Sequence, residues 1–376
     1  MRKIAVLGGG QLGMMMQESI GEMPIELHFL DPDPLCSAKA VSEHVTLGSF
    51  KDEETVMAFC ADKDVITVEI EHVNLQALYR LEEMGKEVYP QPAVLECIID
   101  KGLQKQFFAD EFIPTAPFEL IDSGKEALKA GWKPPFVLKS RTGGYDGKGV
   151  QVIRSVSDMV KAFDGPCVLE ELAPIKKELA VIVARSIECE MVSFPVVEMD
   201  FEPELNLVRA VLSPARIPDE VADKAREIAE TLIDAWGLVG LLAVEFFWCE
   251  DGSLWVNEVA PRPHNSGHHS IEGNVTSQFQ QHLRAISGMD LGDASVQGAA
   301  AMVNLLGAAG HQGKPFLENE ELLKKEPKAF LHDYHKSETR PGRKMGHLTV
   351  LSEDVESALE KALELRKKLN YVKSST

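Results

Sequence analysis

Two glutamates, Glu245 and Glu258, flank the dipeptide Asp251–Gly252 in the segment LLAVEFFWCEDGSLWVNEVAP. Apolar residues run on both sides of that dipeptide, which predicts a β-hairpin. A two-residue turn pairs Glu250 with Ser253, and the same register sets Glu245 directly opposite Glu258. A four-residue loop, Glu250–Ser253, keeps this register, whereas an odd-numbered loop breaks it. Facing side chains have Cβ atoms about 4.5–5.5 Å apart, and like charges placed so destabilise the sheet. Phe247 and Val256 are expected on the same face, so the two carboxylates are not simply solvated and call for a cation. Carboxylate oxygens suit Mg²⁺, which commonly uses one or two of them together with substrate phosphates. Asn257 would add an amide oxygen if the strand bulges. The alternative is a surface pair neutralised by a neighbouring Lys or Arg.

Residues 139–149, KSRTGGYDGKG, carry the second candidate chemistry. Glycine lets a backbone approach a phosphate closely and aim N–H groups at it. Lys139, Arg141 and Lys148 add positive charge. The loop joins two predicted strands, so it is not a P-loop, which opens a helix. It reads as a flap over nucleotide phosphates, or as an ordinary hairpin tip. Near the start, Gly8, Gly10 and Gly13 follow a strand and precede a helix, and Asp31 ends the next strand. That pattern fits a dinucleotide site, but a helix N-terminus with free N–H groups serves a sugar phosphate equally well. Lys336, Arg340, Arg343, Lys344 and His347 form a basic run, and Arg262, His264 and Asn265 lie just past Glu258. Together they suggest convergence on an anion, since guanidinium forks suit phosphate. A zinc site at His264, His268 and His269 is disfavoured, because no Cys or acidic partner is placed to help.

The elements that must position these residues follow from patterning. KIAVL, IELHFLDPD, VTLGSF and DVITVEIEHV read as strands, with helices after the first glycine turn and at 52–62; such alternation argues for a parallel α/β sheet. One helical stretch at about 93–111 follows. Then come FIPTAPFELI, a helix, and the strand–loop–strand units FVLKSRTGGYDGKGVQVIRS and PCVLEELAPIKKELAVIVARS. SFPVVEMDF and LVRAVLSPAR add strands, and helices are expected at about 218–236, 276–287 and 353–369.

The chain has 376 residues, enough for two or three domains. Its net charge of −20 disfavours nucleic acid and anionic membrane as partners. It also means that an anionic substrate needs a local basic pocket. The six cysteines are widely spaced and mostly lie in apolar runs, as expected of buried reduced thiols. No apolar run approaches the length of about 20 residues that spans a membrane, and MRKIAVLGGG is too short and glycine-rich for a signal peptide. A cytoplasmic protein is expected.

The motifs GGGQLG, TVEIEHV, KSRTGGYDGKG, VNEVAPRPHNSGHHS and RPGRKMGH, in this order, closely resemble those of the 5-(carboxyamino)imidazole ribonucleotide synthases, ATP-grasp enzymes of purine biosynthesis. The resemblance covers essentially the whole chain. It implies an α/β architecture, α+β in the ATP-grasp part: a Rossmann-like domain at 1–95, a small flap subdomain at 96–172, and a large subdomain at 173–376. It implies ATP and Mg²⁺, with Mn²⁺ as an alternative, and a homodimer. The implied reaction joins 5-aminoimidazole ribonucleotide, bicarbonate and ATP through carboxyphosphate, giving the carbamate, ADP and phosphate.

Carried over residue by residue, the resemblance assigns Lys101 and Lys139 to the nucleotide, and Gly144, Tyr145, Asp146, Gly147, Lys148, Gly149 and Val150 to a cover over the triphosphate. Glu170, Glu171, Leu172 and Ala173 would face adenine and Glu178 the ribose. Glu245 and Glu258, helped by Asn257, would hold Mg²⁺. Gln11, Leu12, Glu69, His72, Arg262, His264, Asn265, Lys336, Arg343 and Lys344, with Tyr145 and Asp146, would surround the ribonucleotide and the bicarbonate-derived group. Asp146 is the candidate base, with Tyr145, Lys336 and Arg262 beside it as catalytic candidates. Two positions depart from the family pattern: Met14 stands where an Arg is usual, and Phe201 where a His is common. The segment between Tyr334 and Arg340 is one residue longer than usual. The remaining competitors are an ATP-grasp ligase for a different ribonucleotide, an NAD-dependent dehydrogenase resting on Gly8, Gly10, Gly13 and Asp31, and a catalytically dead binding module.

Overall fold

Strands β1 (Arg2–Leu7), β2 (Ile25–Asp31), β3 (Val45–Leu47), β4 (Val65–Val68) and β5 (Glu87–Val88) form an all-parallel sheet in the order β3-β2-β1-β4-β5. This is a computed structural model that describes residues 1–144, 149–202 and 207–374, with backbone only at Glu202 and Leu207. Helices α1 (Gln11–Glu18), α2 (Glu53–Cys60) and α3 (Leu75–Glu83) cover its two faces. Ile4, Val6, Leu27 and Phe29 pack with Met14, Met15 and Met16 on one side. Ala5, Leu7, Ile66 and Val68 pack against Val56, Cys60, Leu78 and Leu81 on the other. Burial on both faces explains why these strands read as continuous apolar runs. The order reverses between β1 and β4, so the glycine turn after β1 and the EIEH segment after β4 lie side by side, where sheets of this type bind ligands.

The expected single helix at 93–111 is two, α4 (Pro92–Ile99) and α5 (Lys101–Asp110). Asp100 breaks them apart: it is extended, and its carboxylate accepts from the N–H groups of Gly102 and Leu103 at 2.7 and 3.3 Å, capping α5. A four-stranded antiparallel sheet follows, β6 (Phe118–Ile121), β7 (Phe136–Ser140), β8 (Val150–Ile153) and β9 (Cys167–Glu171), in the order β6-β9-β7-β8. The helix expected after FELI is only a single 3₁₀ turn at Gly124–Glu126.

The large sheet contains β10 (Ile175–Arg185), β11 (Met191–Ser193), β12 (Val197–Glu202), β13 (Leu207–Ser213), β14 (Gly240–Cys249), β15 (Leu254–Ala260), β16 (Ala299–Leu306), β18 (Ala329–Asp333) and β19 (Lys344–Ser352). Their order is β15-β14-β10-β12-β13-β16-β19-β18, with β11 on β10. Helix α6 (Asp219–Ala235) packs Ile228, Leu232 and Ile233 beneath β10 and β14. The short α7 (Ser270–Gly273) leads into α8 (Gln278–Ile286), whose Phe279 and Leu283 join the core of the N-terminal sheet. Strand β17 (Pro315–Glu318) pairs with β20 (Asn370–Lys373), and α9 (Val355–Lys368) covers β16 and β19. The cysteines are free, as expected, but Cys189 is exposed rather than buried. Among the described residues no helix is long and apolar enough to cross a membrane.

Candidate active site

Glu245 and Glu258 do face each other across β14 and β15, but not through the turn that was expected. Cys249 N–H donates to Ser253 O at 2.8 Å and Gly252 N–H to Cys249 O at 3.0 Å. The loop is therefore the three residues Glu250–Gly252, with Gly252 at φ +85°, the left-handed position that closes such loops. Nearer the turn Trp248 opposes Leu254, and Val256 opposes Phe246 in the core rather than sharing a face with Phe247. A bulge at Asn257 then restores the glutamate pairing. The one-residue shift of the loop and that of the bulge cancel. Val256 turns its backbone to the outer edge of β15, and both groups are taken there: its N–H donates to Pro114 O at 2.7 Å and its C=O accepts from Thr115 Oγ1 at 2.7 Å.

Glu178 joins the pair from β10, where Ala180 opposes Glu245. Three lysines gather at this cluster, Lys101 on Glu258 and Lys139 and Lys105 on Glu170. Lys101, at the first turn of α5, places Nζ 2.5 Å from Glu258 Oε2. Lys139, on β7, donates to Asn257 Oδ1 at 2.8 Å and lies 2.9 Å from Glu170 Oε2. Lys105, not foreseen from sequence, is 2% exposed and reaches Glu170 Oε1 at 3.1 Å. Burial opposes ionisation of Glu258, but Lys101 and Lys139 hold it well below the usual carboxylate range. Burial and the charges of Glu258 and Glu178 push Glu245 well above that range. Burial and Glu258 raise Glu178 to about 7, and burial lowers Lys105 to about 8, against the pull of Glu170.

This donor set suits a hard divalent cation. Two facing carboxylates whose charges oppose each other, and a bulged amide, are an arrangement that a metal relieves. Glu170 spends its carboxylate on Lys105 and Lys139, leaving the backbone of 170–173 at the cleft edge; Glu171 is exposed and Leu172 and Ala173 are half-buried. Arg141 is not a loose cation for phosphate. Its guanidinium grips Asp100 at 2.8 and 2.7 Å, and Arg141 O accepts from Lys101 N–H at 2.8 Å, tying the flap root to α5. At the flap, Gly149 O accepts from Ser140 N–H at 2.8 Å, and Gly149 has φ +87° with its missing Cβ only 3.0 Å from Gly144 Cα. Val150 is 39% exposed. Tyr145, Asp146, Gly147 and Lys148 lie outside the described residues.

The second cluster forms around the glycine turn. A Cβ on Gly8 or Gly10 would meet the Glu69 carboxylate at 2.7 or 2.4 Å, so both glycines exist to admit Glu69. Its Oε1 accepts from Leu12 N–H at 3.1 Å, so this helix-terminal group is not free for phosphate, as the motif had suggested. Asp31 accepts from Gly9 N–H at 2.7 Å and Asp33 N–H at 2.8 Å, which commits it to the turn and removes the basis for a dinucleotide ribose site. Lys336 Nζ donates to Gln11 Oε1 at 2.8 Å and senses Glu69; the longer segment before Arg340 does not carry it away. Burial raises Glu69 to about 7 against Lys336 and Arg262. Arg262 Nη2 lies 2.7 Å from Glu71 Oε1, a partner the sequence reading missed. Arg343 donates to Glu338 O at 2.7 Å, and its charge reaches Lys336. Lys344 opens β19 and acts electrostatically on His264. His72 is half-buried and makes no hydrogen bond among the described residues. Met14, at the position where the family pattern has an Arg, is 1% exposed in the core of the N-terminal sheet.

His264 joins the clusters. Its Nε2 is 3.6 Å from Glu245 Oε1, and burial, then Arg262 and Lys344, hold its pKa down at about 4. Gln278, fully buried at the start of α8, fixes it by accepting from His264 N–H at 2.9 Å and donating to His264 O at 2.8 Å. Asn304 exchanges reciprocal amide bonds with Asn265 at 2.9 and 3.1 Å. Neither partner was foreseen; Asn304 is a buried amide within the apolar run AAAMVNLL, which was the available signal, whereas Gln278 stands among polar residues at the start of α8 and offered none. His268 and His269 turn to Gln278 and Ser266 O rather than converging with His264 on a metal. His347, read as part of a basic run, is 0% exposed, held neutral by burial, and stacked on His332 at 4.4 Å.

Three families match in succession: a ribonucleotide synthetase preATP-grasp domain at residues 1–99, an ATP-grasp domain at 106–279, and a phosphoribosylaminoimidazole carboxylase C-terminal domain at 300–361. An N5-carboxyaminoimidazole ribonucleotide synthase from Synechococcus elongatus is 39% identical over 356 residues, covering 92% of this chain and 89% of the relative. The crystal structure of N5-carboxyaminoimidazole ribonucleotide synthetase from Thermotoga maritima superposes with a TM-score of 0.92 at 41% identity over 100% of both chains. The Aspergillus clavatus enzyme, in complex with ADP and 5-aminoimidazole ribonucleotide, superposes at 0.86 with 33% identity, covering 97% of this chain and 98% of that one.

Proposed function

Because the chain belongs to the N5-carboxyaminoimidazole ribonucleotide synthase family of ATP-grasp ligases, we propose that its two clusters bind ATP and 5-aminoimidazole ribonucleotide and that His264 marks where they meet. The observation that carries this reading is the 3.6 Å approach of His264 to Glu245, which joins the anion-binding side to the glutamate pair.

Bicarbonate is a poor electrophile. Transfer of the terminal phosphoryl group of ATP to it gives carboxyphosphate and ADP. Loss of phosphate then releases CO₂ beside the exocyclic amine, which forms the C–N bond and gives up a proton. Glu245 and Glu258, with Asn257, would hold Mg²⁺, or Mn²⁺ in its place; when bound, the ion offsets charge on the transferring group. Lys101 and Lys139 hold nucleotide phosphates, and the backbone of 170–173 and the Glu178 carboxylate hold base and ribose. Gln11, Lys336, Arg262, Asn265, Arg343 and Lys344 hold the ribonucleotide phosphate and the bicarbonate-derived group, and neutral His264 offers them a ring nitrogen. Asp146, with Tyr145, takes the amine proton. The three-domain division at about 95 and 172, a cytoplasmic setting and a homodimer belong to the same reading. Phosphate release from ATP should appear only when 5-aminoimidazole ribonucleotide and bicarbonate are both present; release that ignores the ribonucleotide overturns it.

A further inference from the structure

On the edge of the N-terminal sheet stands a second group of metal-ligating side chains that the ligase chemistry does not use. Strand β2 pairs in parallel with β3 in the register Phe29↔Val45, and Phe29 N–H donates to His44 O at 2.8 Å. One residue earlier, His28 and His44 are therefore lateral neighbours, and neighbours across a parallel pair point to the same face. Glu26 precedes His28 by two residues and shares that face. The two rings have centroids 4.7 Å apart, and Glu26 Oε1 lies 2.5 Å from His28 Nε2. One donor atom from each of Glu26, His28 and His44 lies within 4.8 Å of the other two; among the described residues they are the one His/Cys/Asp/Glu group that converges so.

We propose that Glu26, His28 and His44 bind a late first-row divalent cation of the Zn²⁺ type, separate from the glutamate pair of the cleft. Two imidazoles and one carboxylate leave a fourth position for water, a common ligand count for Zn²⁺. Donors about 2.1 Å from one ion stand about 3.4 Å apart in a tetrahedral site, so closure needs the hydrogen-bonded Glu26–His28 pair, 2.5 Å apart, to open and His44, the exposed member, to turn inward. Lys63 is the neighbouring charge that opposes a cation at His28. The ion pairing of Lys63 with Asp62 limits what that ammonium does to an incoming cation. Bound there, the ion would pin the short edge strand β3 to β2. Mg²⁺ prefers oxygen donors and competes poorly for such a set.

Zn²⁺ titrated calorimetrically into metal-stripped, full-length protein in excess Mg²⁺ tests this. Wild type and Glu245→Gln should each bind one equivalent with the same affinity. His44→Gln and His28→Gln should weaken it by at least about tenfold, and Zn²⁺ should raise the melting temperature of wild type but not of His44→Gln. His44→Gln should keep its ligase activity. Binding unchanged in His44→Gln, binding lost in Glu245→Gln, or none in wild type overturns the proposal.

Discussion

Lys101 and Lys139 favour the charge on Glu258, and burial beside that charge favours the proton on Glu245. Two substitutions that look alike in sequence should therefore behave differently. Glu245→Gln replaces the group on which burial and Glu258 favour the proton, and its stability should stay within about 0.5 kcal/mol of wild type. Glu258→Gln leaves Lys101 without its carboxylate; since the Glu258 side chain is 42% exposed, the loss should be only about 1 kcal/mol. Both should lower Mg²⁺-dependent phosphate release by at least about a hundredfold. Urea midpoints read beside activity check this, and equal midpoints would show that Lys101 does not depend on Glu258. Gln278→Leu, which removes both clamps on the His264 backbone, should cost about 1–3 kcal/mol. It should lower kcat/KM for the ribonucleotide while leaving the KM for ATP near wild type, a split that general loosening would not give. The glutamates and the basic clusters were legible because charge within apolar or acidic surroundings stands out. Lys105 and Gln278 were not: on a helix, a buried Lys or Gln has the same spacing as a solvated one, and only packing distinguishes them.

The hairpin shows how an element can be read correctly through a wrong intermediate. A two-residue turn and a three-residue loop plus a bulge both bring Glu245 to Glu258. Period-two patterning in β14 cannot tell them apart; the one mark is in β15, where the polar doublet Asn257–Glu258 interrupts the alternation. Their consequences differ. A two-residue Asp-Gly turn would need positive φ at Asp251 and Gly252 alike, whereas here it falls on Gly252 alone of the two, at +85°, so Gly252→Ala should cost about 1 kcal/mol with activity unchanged; a neutral or stabilising result in a denaturant titration would contradict the loop geometry. The break at Asp100 was hidden in the same way, because a helical apolar pattern can run across two helices meeting end to end. Asp100 both caps α5 and holds Arg141. Asp100→Ala should destabilise by about 1–2 kcal/mol and raise the KM for ATP, because Lys101 begins the helix that it caps. A normal KM in that variant would mean that Lys101 keeps its place without the cap.

At the scale of the whole molecule, buried titratable groups work against one another. His264, His268, His269, His282 and His347 are all held below their ordinary pKa by burial. A folded-state value below that of the unfolded chain means that the unfolded chain binds more protons, so these residues cost stability as pH falls from 6.5 towards about 4. Glu69, Glu178 and Glu245 act in the other direction. Their folded values are raised above 4.5, so the folded chain binds more protons up to about pH 7 and stability falls as pH rises through that window. Near pH 5.5 the histidines place roughly four to five extra protons on the unfolded chain and the glutamates about three on the folded one. The histidines outnumber the glutamates, so stability falls as pH is lowered through this window. The urea midpoint of the metal-free protein should therefore drop as pH is lowered from about 6.5 to 5. His282 has Thr67 Oγ1 3.0 Å from its Nε2 and lies apart from both clusters, so His282→Gln should make that drop shallower by about one proton. Glu69→Gln removes an opposing group and should make it steeper by about one. A midpoint that does not move with pH, or two variants that change the slope in the same direction, would show that buried histidines do not set the acid limit of this fold.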